Sequence, residues 1–188
     1  LLGIEAILQN QPTYWLVDCV QALGKLPLKL SEHRIDYAPF SGHKLYAPKG
    51  IGMLYVRNDA PFTPLLAGGG QENSLRSGTE NVSGIAALGA VLHALDDEKT
   101  FRSHDTLVQL RLQLLAAMRE AFPGLTLNAP LENTLPTTLN FSVPGLTSKE
   151  ILDLFDAADI RVSAGSACSA AKALPSFVLQ AMNLSEWQ

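Results

Sequence analysis

Apolar positions along the first third of the chain come in short runs, each broken by polar or turn-forming residues. Tyr14-Trp15-Leu16-Val17 is a β-rich run that stops at Asp18 and predicts a buried strand. Gly24 and Pro27 punctuate the next stretch, and a second run, Ile35 to Phe40, leads into Ser41-Gly42-His43-Lys44. Pro39 lacks a ladder donor, so this second strand is expected to end or sit irregularly there. Ile51-Gly52-Met53-Leu54-Tyr55-Val56 predicts a third strand after the turn residues Ala47-Pro48-Lys49-Gly50. Residues 60–79 are rich in Gly, Pro, Ser and Asn and read as one long loop, a length that is uncommon unless it serves a function.

From Glu80 the period changes. Val82, Ile85, Ala86, Leu88, Gly89, Leu92 and Leu95 recur at helical spacing and predict a long helix from Glu80 to Glu98. Leu107, Leu110, Leu114, Leu115 and Met118 predict another from Ser103 to Phe122, stopped by Pro123-Gly124. Strands are expected at Leu125–Leu127, Thr138–Val143 and Ile160–Val162, with helices at Ser148–Ala158 and after Pro175. The first half alternates strand and helix as a parallel α/β sheet does, and the second half is helix-rich α+β. The boundary is expected near residue 96.

Composition narrows the function classes. With 188 residues, 47% of them hydrophobic and 17% charged, the chain can bury a real core and is not of disordered composition. A net charge of −4 with scattered basic residues gives no nucleic-acid footprint, and no apolar run reaches the length of a membrane span. Cys19 and Cys168 lie far apart without a CxxC pair, which argues against a disulfide scaffold or zinc site and for a cytoplasmic setting. The first residues lack a signal-peptide pattern and an initiator Met, so the start is expected to lie upstream.

Two predicted strands end in polar residues, at Asp18 and at Ser41-Gly42-His43-Lys44. Ligands of open parallel sheets bind at the carboxyl ends of strands, so both ends are expected to face one pocket. A lysine amine and a carboxylate are what pyridoxal phosphate (PLP) chemistry needs: the amine forms an imine and the carboxylate keeps the ring nitrogen protonated. A hydroxyl and an imidazole beside the lysine suit a phosphate. Singly, Asp18 reads as a cap, Lys44 as a solvated lysine and His43 as structural; the combination changes the reading.

The segments Val17-Asp18-Cys19-Val20-Gln21-Ala22-Leu23-Gly24-Lys25-Leu26-Pro27 and Ser41-Gly42-His43-Lys44-Leu45-Tyr46-Ala47-Pro48-Lys49-Gly50-Ile51-Gly52 closely resemble the cofactor-binding segments of cysteine desulfurases. These belong to the class V aminotransferase branch of the fold-type I PLP enzymes. The resemblance implies that Lys44 forms the imine, Asp18 pairs with the pyridine nitrogen and Gln21 contacts the ring hydroxyl. It also implies that Ser41 and His43 help bind the phosphate, while Cys19, where a small residue is common, reads as a core filler. Gly68-Gly69-Gly70-Gln71-Glu72-Asn73-Ser74-Leu75-Arg76-Ser77-Gly78-Thr79 resembles a further segment of the family, although Asn73 replaces its usual Arg. By that resemblance Thr79 reaches the phosphate in a partner subunit, which implies a homodimer.

Arg161-Val162-Ser163-Ala164-Gly165-Ser166-Ala167-Cys168-Ser169 resembles the active-site loop of the NifS/IscS group. Its Ser, Gly and Ala neighbours offer no apolar packing, so Cys168 is expected to be exposed on a mobile loop. A free thiol with a pKa of about 8.5 needs local positive charge or a base to react at neutral pH. The resemblance implies that Cys168 takes sulfur from PLP-bound L-cysteine as a persulfide, releasing L-alanine, and hands it to a sulfur-acceptor protein for iron–sulfur cluster or thiolation pathways.

The implied fold is α/β, fold type I: residues 1–95 as the C-terminal part of the PLP-binding large domain, and 96–188 as a small α+β domain incomplete at its end. Family members are about twice this length. Their phosphate-binding loop, the histidine stacked on the ring and the substrate-carboxylate arginine are not found in this sequence, so these residues alone are expected to bind PLP weakly and to be inactive. Two alternatives stand beside a piece of a desulfurase: a truncated, non-catalytic sulfur-relay or partner-binding relative, and another class V enzyme such as a selenocysteine lyase.

Overall fold

The segment that carries Trp15 and Leu16 runs alongside β1 (Tyr37–Ser41), and β2 (Gly52–Val56) pairs with the other edge of β1. The structure is a computed structural model that describes residues 2–96, 100–165, 176–185 and 187. It falls into two compact units, Leu1–His104 and Asp105–Gln188. Among the described residues no helix is long and apolar enough to cross a membrane.

In the first unit, Leu16 and Tyr37 form a parallel bridge, with Tyr37 N donating to Trp15 O at 3.2 Å and Val17 N to Tyr37 O at 2.9 Å. One step further Cys19 N donates to Pro39 O at 3.3 Å, but Pro39 has no N–H to return. The ladder is interrupted there, which leaves the predicted strand at Tyr14–Val17 as a single bridge. β1 itself does not end at Pro39, because its other edge pairs with β2 in the register Pro39↔Leu54. The β1–β2 pair is antiparallel where a parallel sheet was expected. The short connection from Gly42 to Ile51 is the reason, since a parallel crossover takes a dozen residues or more.

Alternation along β1 buries Ala38 and Phe40 with Cys19 and Ile35, and Trp15, Val17, Leu23, Leu28, Met53 and Tyr55 pack around them. Asp36 enters this core fully buried. Its carboxylate accepts Trp15 N–H at 2.6 Å and pairs with Arg57 Nη2 at 2.6 Å, while Arg57 N donates to Asp36 O at 2.9 Å. One residue thus ties the entering segment, β1 and the exit of β2. A helix that the hydrophobic pattern does not suggest, α1 (Leu2–Leu8), is held by Arg34. The Arg34 guanidinium donates to the carbonyls of Leu8, Gln11 and Thr13, and its backbone N–H to Glu5 Oε1 at 2.6 Å. The long helix α2 (Val82–Asp96) completes this unit.

The second unit packs α3 (His104–Ala121) and α4 (Ser148–Ala157) with the antiparallel pair β3 (Thr126–Leu127) and β4 (Phe141–Ser142). Leu115, Met118, Leu125 and Phe155 form its core, with Phe122 stacked on Phe155 at 5.8 Å between ring centroids. α4 begins at a capping box: Thr147 Oγ1 accepts Glu150 N–H at 3.3 Å, and Glu150 Oε2 accepts Thr147 N–H at 2.7 Å. The strand expected at Ile160–Val162 does not form. Asp159 takes the left-handed conformation (φ 57°) and Ile160 N donates back to Phe155 O at 2.9 Å, so that N–H closes the helix end instead of joining a ladder. The last described helix, α5 (Phe177–Ala181), follows Ser176; Pro175, expected to open it, lies outside the described residues.

Replacing Asp36 by Ala leaves Arg57 without its counter-charge and Trp15 N–H without its acceptor. Arg57 is 38% exposed and can rehydrate, so the loss is chiefly that of the orphaned Trp15 N–H, about 1–3 kcal/mol. The Asp36→Ala variant is expected to lower the urea midpoint accordingly, and Asp36→Asn, which keeps an acceptor, to lower it by roughly half as much. Equal midpoints for Asp36→Ala and the unmodified protein would remove Asp36 from this role.

Candidate functional site

Strand pairing brings together two of the polar segments singled out from the sequence. The segment at Leu16–Cys19 and β1 run the same way, so Asp18 and Ser41-Gly42-His43-Lys44 stand at the same end of that segment and β1. The register Leu16↔Tyr37 sets Asp18 level with Pro39, and the pleat puts Tyr37, Pro39 and Ser41 on the face of β1 opposite the buried Ala38 and Phe40. Asp18 and Ser41 therefore share the face that the core leaves free.

Each residue is held by local backbone chemistry. Asp18 Oδ1 accepts Val20 N–H at 2.9 Å, which turns the chain sharply after the strand and leaves the second carboxylate oxygen for another partner. Consecutive turns come next, with Ala22 N bonded to Cys19 O at 3.0 Å and Lys25 N to Ala22 O at 3.1 Å, and they present Gln21 at the surface. Gln21 Oε1 accepts from Lys25 Nζ at 2.5 Å. Beyond β1, a 3₁₀ turn (Gly42–Leu45) carries His43 and Lys44 outward while Gly42 and Leu45 are buried. Ser41 Oγ and His43 Nδ1 are hydrogen-bonded at 2.8 Å, which orients the imidazole. Lys44 is exposed and, among the described residues, has no hydrogen-bond or ion-pair partner.

This turn admits no side chain at its first position, Gly42. A Cβ there would lie 2.9 Å from Ile51 Cγ2 and 3.0 Å from Ile51 O. The turn closes with Tyr46 in the left-handed region (φ 68°), an uncommon conformation for an aromatic residue, fixed by the Ala47 N–H to Gly42 O bond at 3.1 Å.

Cys19 is buried beside Asp18, and burial first and the Asp18 charge second push its thiol up, which suits a packing role and not a nucleophile. Thr79 is exposed after a loop that closes on itself through Ser77 N to Leu66 O at 3.0 Å and Gly78 N to Gln71 Oε1 at 3.2 Å. No hydrogen bond joins Thr79 to the Ser41–Lys44 turn among the described residues. Cys168 lies outside the described residues. A cavity of about 340 Å³ lined by Leu23, Leu28, Phe40, Met53, Tyr55 and Leu92 is mainly apolar.

The free amine of Lys44, the half-committed carboxylate of Asp18 and the Ser41–His43 pair fit the imine, ring nitrogen and phosphate of PLP. Sequence reasoning passes over Lys25, four residues after Gln21; that spacing, at which side chains meet on a helical turn, is the signal for it.

Residues 2–185 match the family described as Aminotransferase class-V. Cysteine desulfurase IscS of Dictyoglomus turgidum is 36% identical over 183 residues, and Putative cysteine desulfurase IscS 1 of Bacillus subtilis 38% over 179; they align with 96% and 95% of this chain. The chain spans about half the length of these curated relatives, 46% and 47%. Among solved structures, a NifS-like protein superposes with a TM-score of 0.80 at 33% identity, over 98% of this chain and 48% of that one. The NifS-like protein of Rickettsia africae gives 0.78 at 28% identity, again over 98% of this chain and 48% of its own. These likenesses establish the mixed α/β, fold-type I architecture.

Gly42→Ala is expected to force the Ser41–Lys44 turn away from Ile51. Overpacking of this kind costs roughly 1–3 kcal/mol. Urea unfolding is expected to show that loss together with at least about tenfold weaker PLP binding, and undiminished affinity would separate the turn from the binding site.

Proposed function

The chain belongs to the class V aminotransferase family, and we propose that it is part of a PLP-dependent cysteine desulfurase that moves sulfur from L-cysteine onto Cys168 and releases L-alanine. The observation that carries this reading is the convergence of Asp18, Ser41, His43 and Lys44 at one end of two parallel segments. Bound PLP supplies an electron sink that loosens the bonds of an attached amino acid.

Lys44, exposed and without a competing ion pair among the described residues, is the amine that holds the cofactor. Asp18 keeps one oxygen on Val20 N–H and offers the other to the protonated ring nitrogen. Ser41 and His43 act as a hydrogen-bonded pair on the phosphate, where a dianion is best met by several donors. Gln21 reaches the ring hydroxyl, and Thr79 completes the phosphate site of a second copy, so the working unit is a homodimer.

The Cys168 thiolate attacks the sulfur of the substrate. The substrate C–S bond breaks, the sulfur stays on Cys168 as a persulfide, and the carbon skeleton takes a proton and leaves as alanine. A thiolate of a sulfur-acceptor protein in the cytoplasm then attacks the outer sulfur; the S–S bond breaks, Cys168 leaves as thiolate and the acceptor carries the persulfide, for iron–sulfur cluster assembly or thiolation.

In the whole desulfurase of which this chain is part, loaded with PLP, a visible absorption band is expected that Lys44→Ala abolishes. Cys168→Ala is expected to keep the band and cysteine binding while alanine release falls at least about 100-fold, and mass spectrometry after cysteine is expected to find the extra sulfur on Cys168 in the unmodified protein. Sulfide release from cysteine by Cys168→Ala at the unmodified rate would falsify the nucleophile assignment and favour a selenocysteine lyase.

A further inference from the structure

Lys25 is half-buried on the turn after Asp18, and two observations tie it to the site. The first is its contact with Gln21. An ammonium has three donors and no acceptor, so Lys25 Nζ at 2.5 Å can engage only the oxygen of the Gln21 amide. With Oε1 taken, the NH₂ end of Gln21, which carries both of its donors, is left for any other partner.

The second is the backbone beneath it. Gly24, immediately before Lys25, has φ +74°, and a Cβ there would lie 3.0 Å from Leu45 Cδ2 and from Leu95 Cδ2. Leu45 is the buried residue directly after Lys44 in the 3₁₀ turn. The Gly24–Lys25 turn is thus seated directly against the segment that presents Lys44. Burial, and secondarily the charge of Lys44, hold the Lys25 ammonium below the usual lysine range, which places its head group in the same electrostatic neighbourhood.

We propose that Lys25 is a positioning residue that locks the Gln21 amide with its NH₂ end toward the ring oxygen of the cofactor. The proposal rests on the PLP reading and goes beyond it by assigning a residue that the reading leaves idle. An unrestrained glutamine presents its oxygen as readily as its nitrogen, and an amide oxygen facing a ring oxygenate is repulsive. Fixing the amide in advance removes the wrong orientation and the entropy of choosing the right one.

The ring oxygenate modulates the proton affinity of the neighbouring imine nitrogen, so the pH midpoint of the visible band reports the lock without reference to turnover. In the PLP-loaded whole desulfurase of which this chain is part, Lys25→Met is expected to raise that midpoint by about one pH unit, since both a donor to the oxygenate and a nearby positive charge are lost. Lys25→Arg, which retains donors and charge, is expected to hold the unmodified midpoint. The decisive arm is the double-mutant cycle: in a Gln21→Ala background, Lys25→Met is expected to move the midpoint by less than half as much. An unshifted Lys25→Met, or fully additive shifts in the cycle, overturns the proposal.

A measurement on the unmodified protein guards against a variant that fails to fold. The Gln21 side-chain NH₂ resonances, assigned by their loss in Gln21→Glu, are expected to shift on PLP loading; unmoved resonances also overturn it. The two levels fail separately. A visible band that survives Lys44→Ala sinks the PLP reading itself, whereas a Lys44-dependent band indifferent to Lys25 sinks only the lock.

Discussion

The Asp36 carboxylate sits out of reach of water between three stretches of backbone, a position that is costly for a charged group unless its partners are in place. Arg57 supplies the counter-charge at 2.6 Å and Trp15 N–H a hydrogen bond of the same length. Those two contacts come from residues on opposite sides of β1, one entering it from the parallel segment and one leaving β2. The register that brings Asp18 level with Pro39 is fixed at this end of the sheet, and the candidate site lies at the other. A slip by one residue would turn Asp18 onto the core face.

Proline and glycine shape the working end. Pro39 removes one ladder bond between β1 and the parallel segment, so from Asp18 onward the neighbouring backbone is free to turn through Val20 and present Gln21. Gly42 lets the chain pass within contact distance of Ile51, and the turn it opens carries His43 and Lys44 outward while Leu45 stays in the interior. Reactive side chains are thus exposed on backbone that is itself packed, which is how a site keeps its geometry without burying its charges.

The second unit obeys the same logic with different means. Its aromatic core of Phe122, Phe141 and Phe155 anchors α4, and the capping box at Thr147 fixes where that helix starts. At the other end Arg161 pairs with Asp156 and with Asp159, so the segment that leads toward Cys168 leaves the helix from a defined point.

Periodicity located α2 and α3 to within a few residues, because an apolar stripe at helical spacing is a local property that the chain carries with it. Asp18, Ser41, His43 and Lys44 were likewise singled out by their residue types in the sequence, and pairing sets them at one end of β1 and its parallel neighbour. Pairing was not legible in the same way. The antiparallel β1–β2 hairpin, the reduction of Tyr14–Val17 to one bridge, and the loss of the strand at Ile160–Val162 each depend on where a backbone N–H finds its acceptor, and that acceptor lies in another segment or in the preceding helix. Helix α1 escaped notice because it is tied down by Arg34, more than twenty residues away. Lys25 and Asp36 escaped for the same reason: a lysine and an aspartate are ordinary in a sequence, and only tertiary structure decides which amide oxygen or guanidinium they meet. The sequence determined which groups are available for chemistry; the folded chain decided which of them are neighbours, because hydrogen bonds and ion pairs act over a few ångströms of space and not over positions along a chain.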